Sequence, residues 1–170
     1  RSYLQLLFKA LDLPIRPNYW DFQTKVSHQI DKKTSLTFLG IAAIDEFSFA
    51  PTRNSTPENT YTINSSPLIN QWNYTVGLSL KRSIKNGSAN IALSRTHFDN
   101  KINKYEDNQQ PSDANKTLDI ASSTIENKLR LDINKSRNGW KWAWGASLQA
   151  IDFNNNTFTL VQKQIIDDKG

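Results

Sequence analysis

The sequence predicts an all-β fold: an antiparallel, up-and-down meander of about six to eight strands, of the transmembrane barrel type. Three observations predict it. Apolar residues recur with a period of two over long stretches, short and long connections alternate along the chain, and tryptophans gather near strand ends. The clearest stretch runs from Ile125 to Leu148. Ile125, Leu129, Leu131 and Ile133 share one parity, and Glu126, Lys128, Arg130 and Asp132 occupy the other. After the turn Lys135-Ser136-Arg137-Asn138-Gly139, Trp140, Trp142, Trp144, Ala146 and Leu148 alternate with Lys141, Ala143, Gly145, Ser147 and Gln149. A period of two on both arms of an Asn-Gly turn predicts a β-hairpin. Arms of about 9–11 residues suffice to cross a bilayer as tilted strands.

The remaining elements follow in order. Leu4, Leu7, Phe8 and Leu11 fall at helical spacing, so the segment 1–13 predicts a strand end, a short helix and a loop. Pro14 and Pro17 stop that helix. Tyr19 to Ile30 predicts a strand with Trp20, Phe22, Val26 and Ile30 on one face, and Thr24 and His28 between them. Residues 31–34 turn, and Ser35 to Phe47 returns with Leu36, Phe38, Gly40, Ala42 and Ile44 on one side. Leu39 and Ile41 make its other side less polar. Residues 48–70, rich in Pro, Asn, Ser and Thr, predict a long loop. Gln71 to Lys81 alternates cleanly, with Trp72, Tyr74, Val76, Leu78 and Leu80 on one face. A turn over 82–87 leads to a strand from Ser88 to Phe98, then to a second long loop over 100–122. Beyond the hairpin, Asn154-Asn155-Asn156 predicts a turn and Thr157 to Val161 a strand.

Short connections at 31–34, 82–87 and 135–139 thus alternate with long ones at 48–70 and 100–122. A sheet that spans an outer membrane alternates in this way, with short periplasmic turns and long outer loops. A Greek-key sandwich does not. Strands starting at Tyr19, Gln71 and Ile125 then descend, and those starting at Ser35, Ser88 and Trp140 ascend. Trp20, Trp72 and Tyr74 fall at the outer interface and Trp140 and Trp142 at the inner one, where aromatic girdles lie.

Bulk properties bound the class. A chain of 170 residues suits one domain. Its mean hydropathy of −0.62 excludes helical membrane spans but not a barrel, in which every second residue faces lipid. Cysteine is absent, as suits an envelope protein or any domain without disulfides. The net charge of +5 is spread singly among carboxylates, which argues for a solvated surface and against nucleic acid.

No motif for catalysis or phosphate binding occurs. His28 and His97 stand apart, too few for a metal site. Glu126 and Asp132 lie about 20 Å apart along a strand, too far to act on one bond. Glu126, Lys128, Arg130 and Asp132 read as a polar lumen wall whose charges neutralise one another. Asp107, Asp113 and Asp119 lack EF-hand spacing. No enzyme activity and no cofactor are expected.

Several runs resemble the barrel of TonB-dependent outer-membrane receptors: Ser2 to Phe8 through Leu13-Pro14 to Tyr19-Trp20-Asp21-Phe22-Gln23; Gly40 to Phe47; and Leu93-Ser94-Arg95 with Lys104 to Asn108. The resemblance covers the chain from Arg1 to about Gln149. It implies a barrel of about 22 strands closed around a plug. It also implies import of a scarce, bulky nutrient of siderophore, vitamin or glycan type, driven through TonB. The partners implied are outer-membrane lipid, the rest of the barrel with its plug, TonB through that plug, and an extracellular ligand. This sequence has no plug-like segment and no TonB box, and Asp167-Asp168-Lys169-Gly170 is not an aromatic closing strand. Residues 1–170 are therefore expected to be an internal slice of the barrel domain, located in the bacterial outer membrane. The alternatives are a soluble antiparallel β domain that binds a ligand or carbohydrate, with Trp140, Trp142 and Trp144 as core or platform, and a different outer-membrane barrel.

Overall fold

The computed structural model describes residues 4–49 and 56–161. Six strands form one antiparallel sheet in chain order: β1 (Ile15–Asp31), β2 (Thr34–Phe49), β3 (Leu68–Ile84), β4 (Gly87–Tyr105), β5 (Lys116–Arg137) and β6 (Trp140–Thr159). Each strand pairs only with its chain neighbours, and the sheet stays open between β1 and β6. Two helices, α1 (Leu4–Ala10) and α2 (Pro57–Ser65), flank the strands.

The period-two segments form strands as expected, and the strands are longer than the alternation alone predicts. β3 starts at Leu68, β4 continues to Tyr105 and β5 starts at Lys116. The long loop expected over 100–122 therefore shrinks to the stretch between β4 and β5, with a 3₁₀ turn at Asp113–Asn115. The loop expected over 48–70 contains α2, whose N-cap Thr56 side chain accepts the Asn59 N–H at 3.2 Å, with Pro57 in the first turn. Its residues 50–55 lie outside the described residues, as do the strand end expected at 1–3 and the C-terminal residues 162–170. Asn154, Asn155 and Asn156 are not a turn: they pair with Ser123, Ser122 and Ala121 inside β6. The partner strand supplies every second backbone bond there, which outweighs the turn preference of asparagine.

Pro17 does not end an element either; it lies within β1, opposite Phe47. β1 has β2 as its one described neighbour, and such a strand tolerates proline where the nitrogen faces away from the ladder. α1 forms where the spacing predicts it. It closes on Asp12, whose φ of 51° lies in the left-handed region, with Leu13 N–H donating to Phe8 C=O at 3.0 Å.

The turns narrow to Lys32-Lys33, Lys85-Asn86 and Asn138-Gly139. Asn138 and Gly139 have φ of 50° and 80°, the geometry a two-residue hairpin requires. The turns also bond sideways to the next strand. Ser83 N–H donates to Lys33 C=O and Ser136 N–H to Asn86 C=O, both at 2.7 Å.

Gly87 marks a close approach between neighbouring backbones: a Cβ there would collide with the Asn134 carbonyl oxygen. Gly87→Ala must push β4 and β5 apart at the turn. A loss of about 1–3 kcal/mol is expected from such crowding. It is read as a lower urea midpoint for the refolded protein, and an unchanged midpoint would contradict this packing.

Candidate functional site

The register decides what the sheet presents. Following the paired residues across it, Val26, Phe38, Leu78, Leu93, Leu129 and Leu148 form one continuous row. A parallel row runs through Leu36, Leu80, Ile91, Leu131 and Ala146. All six strands thus turn their apolar parity to the same side. That side is not covered: Leu148 is 72% exposed and Val26 59%. Among the described residues the one buried hydrophobic side chain is Ile63, at 2%.

The apolar band is slanted relative to the register. Its long-loop edge lies at Trp20, Ile44 and Trp72, which are in register with Asn154 of β6. On β6, however, the last apolar residue at that edge is Ala150. At the other edge β1 stops at Ile30, whereas β6 continues to Trp140. The band shifts by about four residues over five strand steps, about 13 Å along the strands against about 24 Å across them. A level band then requires strands inclined by about 30°, near the 35–45° tilt of membrane barrels.

Beyond the long-loop edge the parity inverts. Phe47, Ile69, Ile102 and Ile120 lie on the otherwise polar side, and Asn18, Glu46, Asn70 and Lys101 lie on the band's side. The strands continue, but the polarity of the two sides is exchanged.

The expected aromatic residues fall at the two edges. Trp20 and Trp72 share a row through Ile44, with Tyr74 one row inward. Trp72 stacks on Tyr74 at 6.1 Å between ring centroids. Trp140 and Trp142 lie at the short-turn edge with Trp144, and Trp140 is 71% exposed. The two histidines also stand apart in the sheet, His28 on β1 and His97 on β4. His97 is edge-on to Trp72 at 4.6 Å, with its Nε2 3.0 Å from Ser123 Oγ. Arg95, one row nearer the band centre, donates to Asn127 Oδ1 at 3.0 Å.

The opposite side is a hydroxyl and amide surface. Ser27 meets Thr37 at 3.1 Å, Thr75 meets Thr96 at 2.9 Å and Ser79 Oγ donates to Asn90 Oδ1 at 2.7 Å. Of the four charged residues of β5, Arg130 and Asp132 bond directly, Nε donating to both carboxylate oxygens at 3.0 and 2.9 Å. Glu126 faces Thr96 and Ile151, and Lys128 faces Ser94 and Gln149. No group of three or more metal-ligating side chains comes together among the described residues.

Asn108 is a residue that the sequence does not single out. It is 6% exposed and joins the two long connections. Its Nδ2 donates to the carbonyls of Ile63 (2.6 Å) and Ser66 (2.8 Å), its Oδ1 accepts Tyr105 N–H at 3.0 Å and its own N–H donates to Asn64 Oδ1 at 3.1 Å. One side chain therefore holds α2 to the connection after β4. Nothing in the local sequence distinguishes Asn108 from its many asparagine neighbours.

At the same end, Lys116 reaches Asp113 and Asp119, each at 3.1 Å. The hydrogen bond to Asp113, followed by that to Asp119, holds its ammonium above the usual lysine range. A raised lysine contributes stability that is complete below its unfolded value and is lost as pH rises through the folded one.

No protein-family model matches this sequence, and no curated protein matches it significantly.

Two outcomes test the loop end. Asn108→Asp retains the acceptor but cannot donate to Ile63 and Ser66. It is expected to loosen α2 by about 1–3 kcal/mol, read as faster proteolysis within 57–66 with the strand amides still protected; unchanged cleavage would show that the staple is dispensable. Separately, the Lys116 ammonium followed by NMR should titrate at higher pH than in the Asp113→Asn, Asp119→Asn double variant. Coincident titrations would remove the carboxylates as the cause.

Proposed function

We propose that the chain is a stretch of the wall of an outer-membrane β-barrel, and that the parent protein is a transporter of the TonB-dependent receptor kind. The observation that carries the barrel reading is the uncovered apolar band, whose row from Val26 to Leu148 crosses all six strands and whose edges are slanted as tilted strands require. A soluble sheet would close that face against a second layer. The aromatic residues at the two edges support the same orientation, with Trp20, Trp72 and Tyr74 at the outer surface and Trp140 and Trp142 at the periplasmic one. The parity inversion beyond Trp20 and Trp72 fits strands that leave lipid for water on one side. The receptor reading adds the resemblance of residues 1–149 and the alternation of two-residue turns with long connections.

In this reading the polar face, with Glu126, Lys128, Arg130 and Asp132, lines the lumen and meets the plug. The connections stapled by Asn108 form outer loops within reach of an arriving ligand. The chain performs no chemistry of its own; it supplies wall and vestibule.

The test is the mass and cell fraction of the native polypeptide that carries this stretch. A chain several times heavier than 19.4 kDa in the outer-membrane fraction supports the proposal. A soluble chain of about that mass sinks it. Within the protein, Leu129→Asp and Leu131→Asp should each block assembly, because a charge facing lipid near mid-bilayer costs roughly 2–4 kcal/mol for Arg or Lys and somewhat less for Asp. Lys128→Asp, on the other face, should assemble. Normal insertion of both leucine variants would overturn the assignment of faces.

A further inference from the structure

The lysines and arginines that are scattered along the sequence gather at the short-turn end of the sheet, a concentration of positive charge that the transport reading does not use. Within residues 31–34, 81–88 and 134–141 there are eight lysines and arginines and a single carboxylate, Asp31. That carboxylate already accepts the Lys33 N–H at 2.7 Å. The opposite end has the reverse balance: residues 98–119 hold five carboxylates and three cations.

The positive charge is organised around a cleft. Lys85, Asn86, Lys135, Ser136, Arg137 and Trp142 line a hollow of about 370 Å³ that contains no acidic side chain. The bond from Ser136 N–H to Asn86 C=O fixes the Lys85-Asn86 turn beside the end of β5, so the hollow is framed by backbone. Lys135 and Arg137 continue the apolar parity of β5 directly past Ile133, and their cross-strand partners are Trp142 and Trp140. Among the described residues, none of Lys85, Lys135 and Arg137 takes part in an ion pair. Three uncompensated cations thus stand just past the edge of the apolar band, each within a turn of an exposed indole.

We infer that this cleft binds the phosphate of an anionic phospholipid, of the phosphatidylglycerol type, in the leaflet next to the short turns. The three cations hold the phosphodiester, and the Trp142 and Trp140 rings lie along the glycerol and upper acyl chains. An indole suits that depth because its ring is apolar and its N–H needs a wet partner. Each cation near an anionic membrane surface adds to the attraction, so the three together select for net negative headgroups and against zwitterionic ones. The inference rests on the barrel reading, since it requires lipid against the apolar face.

The experiment uses the full native protein purified in detergent, with lipid retention followed by native mass spectrometry. The probes are phosphatidylglycerol and phosphatidylcholine with the same acyl chains. The wild type should retain phosphatidylglycerol about tenfold more than phosphatidylcholine. The Lys85→Gln, Lys135→Gln, Arg137→Gln triple variant should lose that preference, and a triple variant at Lys9, Lys101 and Lys104, changed to Gln at the other end, should keep it. Equal retention of the two lipids by the wild type, or an undiminished preference in the first variant, would overturn the inference. Inorganic phosphate identifies the source: full displacement of the lipid at millimolar phosphate would make this an ordinary anion site and not a lipid site. A protein found soluble without detergent would instead defeat the barrel reading. An outer-membrane protein without lipid preference would defeat the lipid site alone.

Discussion

Everything this chain presents depends on unbroken antiparallel register. Side chains alternate along a strand, so one residue of slip between two strands would turn a whole apolar set to the wrong side. Across β2, β3, β4 and β5 the ladder runs without an internal shift until Lys104, and β5 with β6 has none. Val26 on the first strand and Leu148 on the last therefore face the same medium. The short turns protect this register. Asn138 and Gly139 accept positive φ, and the sideways bonds from Ser83 and Ser136 tie the turns to their neighbours. Gly87 allows the closest of these approaches.

Much of this was legible in the sequence because a half-exposed strand writes its two environments into alternate residues. Trp72 to Leu80 and Ile125 to Ile133 announce both the strand and its faces. Legibility fails where the two environments change places. In residues 99–105 and 116–124 the few apolar residues, Ile102, Leu118 and Ile120, stand on the opposite parity among polar ones, so the alternation breaks and the sequence reads as a loop. Pairing with an already formed neighbour nevertheless extends the strands. The same holds for Asn154 to Asn156, which adopt β structure because β5 lies alongside. α2 is hidden for another reason: its nine residues are mostly polar and have no apolar stripe, and Thr56, Pro57 and the bonds to Asn108 define it. The role of Asn108 depends on residues more than 40 positions away, and no local pattern encodes that.

The two ends of the sheet differ in how they are held. At the short-turn end the connections are two residues long and the order comes from backbone bonds. At the other end the strands overrun the band, the parity inverts, and order comes from side chains: Asn108 to α2, and Lys116 to Asp113 and Asp119. Structure held by a few side chains opens more easily than a ladder. The long-connection end is thus the end best able to rearrange.

The charge distribution follows the same division. Cations cluster where the turns are short and tryptophans are exposed, and carboxylates prevail where the connections are long. A sheet in uniform solvent has no physical reason to separate its charges along the strand direction. A sheet whose two ends meet chemically different surroundings does, because a charged surface acts on side chains within a Debye length of about 8–10 Å. The tilt of the apolar band, the inverted parity at one edge and the polarised charge are three independent features of the sequence. All three follow if a single low-dielectric layer crosses the strands between Trp20 and Ile30.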